Sequence, residues 1–255
     1  MSSTISDNSR RKIRIWSVAI WILLWHGVSV YVGKEVLVAS PISVVVRLFT
    51  LVKEREFWKS VVFSVWRISI GLFSAIFIGV ILAGLAARFK VIEELLAPLI
   101  TIVTTTPVAS ITILMLIWVS SRNLSVVISF MMVLPVVYTN VLLGIKSTNQ
   151  KLLEMADVFE IPAFRKIRYI YVSQIMPFFQ SACLVGLGLC FKAGIAAEVI
   201  GIPKGSIGER LYMAKIYLAT PDLFAWTLTI ILISIIYEKV FMLLLRFLVF
   251  KIGSM

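Results

Sequence analysis

The chain has 255 residues, 60% of them hydrophobic and only 15% charged, with a mean hydropathy of +1.00. Soluble domains carry about a quarter charged residues, so this composition excludes a soluble domain and predicts an all-α integral membrane protein. The net charge of +12 does not point to nucleic acid, because the basic residues cluster at the ends of apolar runs, where they set orientation and meet anionic lipid.

Residues 1–14 are polar and then basic, with Arg10, Arg11, Lys12 and Arg14 before an apolar run over 15–32. That run is long enough to cross a bilayer. No small-residue cleavage site precedes Lys34, so an uncleaved first span is expected rather than a signal peptide. His26 is the one histidine and reads as a packing residue, since a single His cannot build a zinc or bis-His haem site. Residues 33–59 are mixed. Within them 42–52 is apolar but too short to cross, and reads as an interfacial helix. A second span is expected over 67–86. Gly71, Ala75, Gly79 and Ala83 fall on one face of it, a spacing that lets another helix approach closely.

The third span, 95–119, is interrupted by Pro98 and by Thr104-Thr105-Thr106-Pro107. Pro107 removes a helical hydrogen bond, and the threonines can satisfy freed carbonyls. Broken spans often line substrate paths, an ordinary kink being the alternative. Thr104, Thr105, Thr106, Pro107 and Ser110 are therefore candidate pathway residues, together with Tyr138 and Asn140 of the fourth span, 124–145. The fifth span, 177–200, holds Cys183 and Cys190, about 10 Å apart at helical rise. That is too far for a disulfide. It also holds Lys192 and, near its end, Glu198. A lysine at membrane depth is costly unless it meets a cavity, an anion or a carboxylate. Lys192 reads as a cationic contact for an anionic solute, or as a residue paired with Glu198 or snorkelling to the interface. A polar stretch, 201–222, precedes a sixth span over 223–250.

Lysine and arginine bias sets the orientation. Arg10 to Arg14, Arg88, Lys90, Lys146, Lys151, Arg165, Lys166, Arg168, Arg246 and Lys251 are expected inside. Lys34, Arg47, Lys53, Arg55, Arg122, Lys204, Arg210 and Lys215 are expected outside. Both termini are then cytoplasmic, and the protein is multi-pass in the plasma membrane. The chain divides into a cytoplasmic segment 1–14, the first span and interfacial helix 15–54, a core 55–245 and a cytoplasmic tail 246–255.

The polar loop over 146–176 carries the strongest signal. Its charges and free backbone groups cannot sit in hydrocarbon, so it projects into the cytoplasm. A first short helix, about 149–159, puts Leu152, Leu153, Ala156 and Phe159 on one face. Pro162 is expected to force a turn. A second helix, about 163–175, carries Phe164, Ile167, Ile170 and Tyr171 among basic residues. A helix-turn-helix knob of this kind suits a groove on another protein. No phosphate loop exists: Gly201-Ile202-Pro203-Lys204-Gly205-Ser206 has the letters without the spacing. No catalytic or metal motif appears. Energy for uphill transport must come from a partner or an ion gradient, and a stand-alone channel or ion-coupled carrier is the alternative to a partner-driven machine.

At these residues the chain resembles the transmembrane permease subunits of ABC importers, in particular the nitrate, sulfonate and taurine type. Glu154-Met155-Ala156 matches the opening of their cytoplasmic loop and Ile175-Met176-Pro177 its end. The family's glycine position holds Glu160, so Pro162 is expected to set the turn instead. Ser40-Pro41-Ile42-Ser43-Val44, Ser64-Val65-Trp66-Arg67-Ile68, Pro98-Leu99-Ile100 with Thr106-Pro107-Val108-Ala109, and Ala196-Ala197-Glu198-Val199-Ile200 are similar to further family motifs, in order and at matching spacing. The resemblance implies the type I importer fold, with about six membrane helices. It implies an ATPase-coupling role for Leu153, Glu154, Met155, Ala156, Asp157, Val158, Phe159, Glu160, Ile161, Pro162, Ala163, Phe164 and Arg165. It implies ATPase partner subunits that carry the ATP and Mg, and no cofactor on this chain. An external solute-binding protein and a second permease copy complete the expected assembly. The substrate class it suggests is a small anion such as a sulfonate.

Overall fold

A computed structural model describes residues 15–253 of the chain, with side chains described over 16–247. The expected basic segment 1–14 lies outside the described residues, as does the side chain of Lys251. The described chain is helical throughout: α1 (Ile15–Val32), α2 (Pro41–Val52), α3 (Arg55–Arg88), α4 (Lys90–Thr105), α5 (Val108–Met115), α6 (Ser121–Lys146), α7 (Gln150–Val158), α8 (Ala163–Lys166), a π turn (Ile167–Tyr171), α9 (Val172–Gly201), α10 (Ile207–Ile216) and α11 (Thr220–Gly253).

Helix α6 is the central element. It runs beside α3 in the same direction, Gly71 against Val126 and Ser129, and Gly79 against Val137. Helix α9 runs antiparallel on its other side, so that Gly144 meets Phe178, Gly186 meets Val133 and Gly201 meets Leu124. The expected small-residue seam is real. Gly71, Ala75, Gly79 and Ala83 are all buried, and a Cβ on Gly71 would lie 2.5 Å from the Val126 carbonyl oxygen. Backbones approach that closely only when one residue lacks a side chain.

Polar contacts gather at the two ends of this bundle. At one end Arg47 of α2 pairs with Asp222 of α11, and hydrogen bonding to that carboxylate pushes the Arg47 pKa up. Arg210 faces Glu56 at 3.6 Å, and Arg67 donates to the Arg122 carbonyl and to Asn123 Oδ1. At the other end Lys146 pairs with Glu93 at 2.6 Å and Lys166 with Asp157. Residues expected on one side of the membrane thus lie at one end of the fold. Helix α2 starts at Ser40, whose hydroxyl accepts from Ser43 N at 3.1 Å. It buries Val44 and Leu51 and exposes Ile42, Val46 and Phe49, as an interfacial helix should.

Several expected boundaries move. Among the described residues four helices are long and apolar enough to cross a membrane, five if α4 and α5 count as one span; α1 keeps the expected bounds 15–32, and with it the count is consistent with about six. The second span begins at Arg55 rather than near 67, because the charges of its first turns lie on the solvent side, with Lys59 bonded to Glu56. The third span breaks between Thr105 and Val108 with a bend of 105°, while Pro98 stays inside α4. The break is a true interruption, not a kink. The polar stretch 201–222 holds α10. Its start is a variant of the capping box, with Glu209 N donating to the N-cap Ser206 Oγ at 2.9 Å and the N–H of Gly205, one residue earlier, donating to Glu209 Oε2 at 2.6 Å.

Gly71→Val is expected to destabilise the purified protein by about 1–3 kcal/mol, seen as a fall in its detergent melting temperature. Gly84→Val should not, because nothing lies within 4 Å of a Cβ at that position.

Candidate functional site

The projecting knob is built by the short helix α7, one left-handed residue and the first turns of a second, longer helical run. Helix α7 starts at Asn149, whose side chain accepts from Lys151 N at 3.0 Å. It ends in a Schellman motif: Ile161 N donates to Ala156 O at 2.9 Å and Glu160 N to Asp157 O at 3.0 Å. Glu160 takes the left-handed conformation this requires, with φ of 49°. The turn is therefore made by Glu160 at the glycine position itself. Pro162 follows it in extended backbone (φ −61°, ψ 147°) and starts α8, with its carbonyl accepting from Arg165 N and Lys166 N. That corrects the expected assignment of the turn to Pro162. The Asp157–Lys166 ion pair ties the two helices across the turn.

Ala156 is fully buried and Leu152 and Leu153 are half-buried, so the expected inward face exists. Phe159 does not join it. It is 72% exposed, beside Val158 at 79% and Met155 at 47%, with Phe164 at 73% beyond the turn. Glu154, Glu160, Pro162, Ala163 and Arg165 are exposed and Ile161 is half-buried. The knob thus presents large apolar side chains outward, ringed by charge. Such a surface is costly in water unless it is covered.

The second helix is not a separate piece. Ala163 to Gly201 forms one helical run of 39 residues, through the π turn and through Pro177, which lies inside α9. The expected boundary at Pro177 is absent, because the turns on either side of it keep the helix going.

The candidate pathway residues do not form one cluster. Thr104, Thr105, Pro107, Ser110 and Lys192 are exposed, and Thr106 and Asn140 half-buried. Thr104, Thr105 and Thr106 each donate to a carbonyl four residues back, at 2.9, 2.8 and 2.6 Å, adding donors to the last turns of α4, but none of these bonds reaches the Val103 carbonyl that Pro107 leaves without its helical donor. Asn140 Nδ2 does the same to Val136 O at 2.8 Å. Tyr138 is buried at 4% exposure. Glu198 is fully buried. Its Oε2 accepts from Ser64 Oγ at 2.6 Å and from Gly208 N at 3.3 Å, and Ser64 Oγ accepts from Ile207 N at 3.0 Å. Glu198 therefore clips α10 and α3 to the end of α9. It does not pair with Lys192, which has no ionic or hydrogen-bond partner among the described residues. Sequence reasoning missed Ser64 and Gly208 as partners of Glu198. The signal for them is slight: a serine in an apolar helix and a glycine within a capping box.

Residues 75–254 match the family of binding-protein-dependent transport system inner membrane components. The chain is similar to the putative aliphatic sulfonates transport permease protein SsuC of Bacillus subtilis, at 24% identity over 81% of this chain and 75% of that protein. It is similar to the taurine transport system permease protein TauC of Escherichia coli, at 22% over 89% and 84%. It is also similar to a probable ABC transporter permease protein of Haemophilus influenzae, at 24% over 90% and 94%.

A non-glycine residue in the left-handed region costs about 1–2 kcal/mol, whereas glycine costs about 0.5–1 kcal/mol in chain entropy. Glu160→Gly is therefore expected to stabilise the knob by up to about 1 kcal/mol, and Glu160→Val to destabilise it. Hydrogen exchange at the Glu160 and Ile161 amides reads both, with slower exchange expected in the glycine variant.

Proposed function

Because the chain belongs to the family of binding-protein-dependent transport system inner membrane components, we propose how it is coupled, placed and loaded. It is a multi-pass permease subunit of an ABC importer, a transport subunit and not an enzyme. In our reading the knob of Met155, Val158, Phe159 and Phe164 docks on a partner ATPase that binds ATP and Mg, and this chain holds no cofactor. The knob lies in the cytoplasm, with both termini, and the membrane is the plasma membrane. A binding protein delivers solute at the opposite end, where α2, α10 and the start of α11 meet. A second permease copy completes the pathway. The solute is a small anion of the sulfonate, taurine or nitrate kind.

The observation that carries the coupling assignment is the exposed apolar knob at the end of an unbroken helix. Val158 and Phe164 are more than 70% exposed, and no described residue of this chain covers them. An apolar anchor in a partner's groove contributes on the order of 2 kcal/mol or more. A charged substitution should remove it.

Val158→Asp with Phe164→Asp is expected to lower binding-protein-stimulated ATP hydrolysis of the reconstituted complex at least about tenfold, with loss of ATPase co-purification. Unchanged coupling would overturn the docking assignment.

A further inference from the structure

Lys192 lies about 13 Å from the Gly201 end of α9 at helical rise, which is close to the middle of a bilayer whose core is about 30 Å thick. Its side chain is exposed on the surface of the single chain and no carboxylate meets it among the described residues. The face it occupies is narrow. Helix α9 is the most buried of the long apolar helices, at 56% of its apolar window, yet Ser181, Val185, Leu189, Lys192 and Ala196 are exposed on it. An unpaired ammonium at this depth is costly against hydrocarbon and is met mostly on faces that line a bundle interior or a water-filled cavity.

A second observation meets it there. The break between α4 and α5 exposes Thr104, Thr105 and Pro107, and a broken helix at membrane depth is tolerated only against protein or water. Val108, next to Pro107, packs in the same apolar cluster as Ala193, next to Lys192. The helix that follows the break thus packs on α9 at the level of Lys192, and both the lysine and the interrupted backbone need a polar cover that the described residues of one chain do not supply.

We infer that Lys192 from each of two copies faces a shared water-filled chamber, walled by α9 and the α4–α5 break, and holds an anionic solute there. Two like charges in one chamber repel each other unless an anion lies between them, so the pair selects for negative charge. A site built by one copy is incomplete. The inference rests on the importer reading and names the residue and charge class through which it acts.

The test places a reporter thiol one turn to either side of the lysine, Leu189→Cys or Ala196→Cys, in the permease–ATPase complex in nanodiscs. Native Cys183 and Cys190 are buried, so the parent complex gives the background. Each reporter is treated with an anionic sulfonatoethyl and a cationic trimethylammonioethyl methanethiosulfonate, with rates normalised to a free small thiol. The anionic reagent is expected to react about tenfold faster, from the attraction of a charge about 6 Å away in a wet site. Lys192→Gln should abolish the preference and Lys192→Arg should keep it, with ATPase co-purification reporting that each variant folds. A flexible bis-maleimide should join two Ala196→Cys copies. Reporters that react only with an apolar maleimide, a preference that survives Lys192→Gln, or no linked pair would each overturn the inference. The importer reading fails separately, on the ATPase coupling of the Val158 and Phe164 variants.

Discussion

One helix connects the two ends of this molecule. From Ala163 to Gly201 the chain stays helical for 39 residues, about 58 Å at helical rise, which is longer than the hydrocarbon core is thick. Its cytoplasm-facing end, in the proposed orientation, is the second half of the knob, and its far end carries Lys192 and Glu198. The intervening π turn and Pro177 change local hydrogen bonding without ending the helix. A push on Phe164 is thus delivered to the far end by a rigid element rather than through a loop. The Asp157–Lys166 pair and the Schellman turn make α7 part of the same body, so both exposed apolar patches of the knob move with the rod.

The far end of the rod is clamped, not free. Glu198 reaches α3 through Ser64 and α10 through the Gly208 amide, and Ser64 also receives the Ile207 amide. The carboxyl is completely buried, and hydrogen bonds are electrostatically stronger in a low-dielectric interior. The clamp is also sterically exclusive, since a Cβ on Gly208 would sit 2.3 Å from that of Glu198. Helix α10, at the proposed binding-protein side, must therefore follow α9. A rod gripped at one end by the proposed ATPase partner and locked at the other to α3 and α10 transmits position well and absorbs little.

Much of this was legible in the sequence, and the failures have physical reasons. Apolar runs located α2, α6 and α11 to within a few residues, and the four-residue spacing of Gly71, Ala75, Gly79 and Ala83 identified the seam, because both signals are local. Pro177 misled because proline lowers the local preference for helix but cannot end one that neighbours hold in place. Helix α10 was hidden by its charges, although Ser206 and Glu209 spelled its start. Glu160 was legible as a departure but not as a left-handed residue, since only the geometry of the turn imposes that backbone. Glu198 and Lys192 lie six residues apart in one helix and read alike as polar intrusions. Which of them is bonded internally depends on Ser64 and Gly208, outside α9, and no pattern within α9 could tell.

The packing also limits where motion can occur. Helices α3, α6 and α9 meet through glycines at Gly71, Gly79, Gly186 and Gly194, leaving no room for side chains to change rotamer as one helix slides past another. Such interfaces move as a body or separate altogether; they do not creep. Helix α11, by contrast, buries only 11% of its apolar window, and much of α1 is exposed. In the proposed cycle the three-helix core is therefore one rigid part. Opening and closing then fall between copies, along the exposed α9 stripe and the α4–α5 break, and that boundary is where Lys192 already lies.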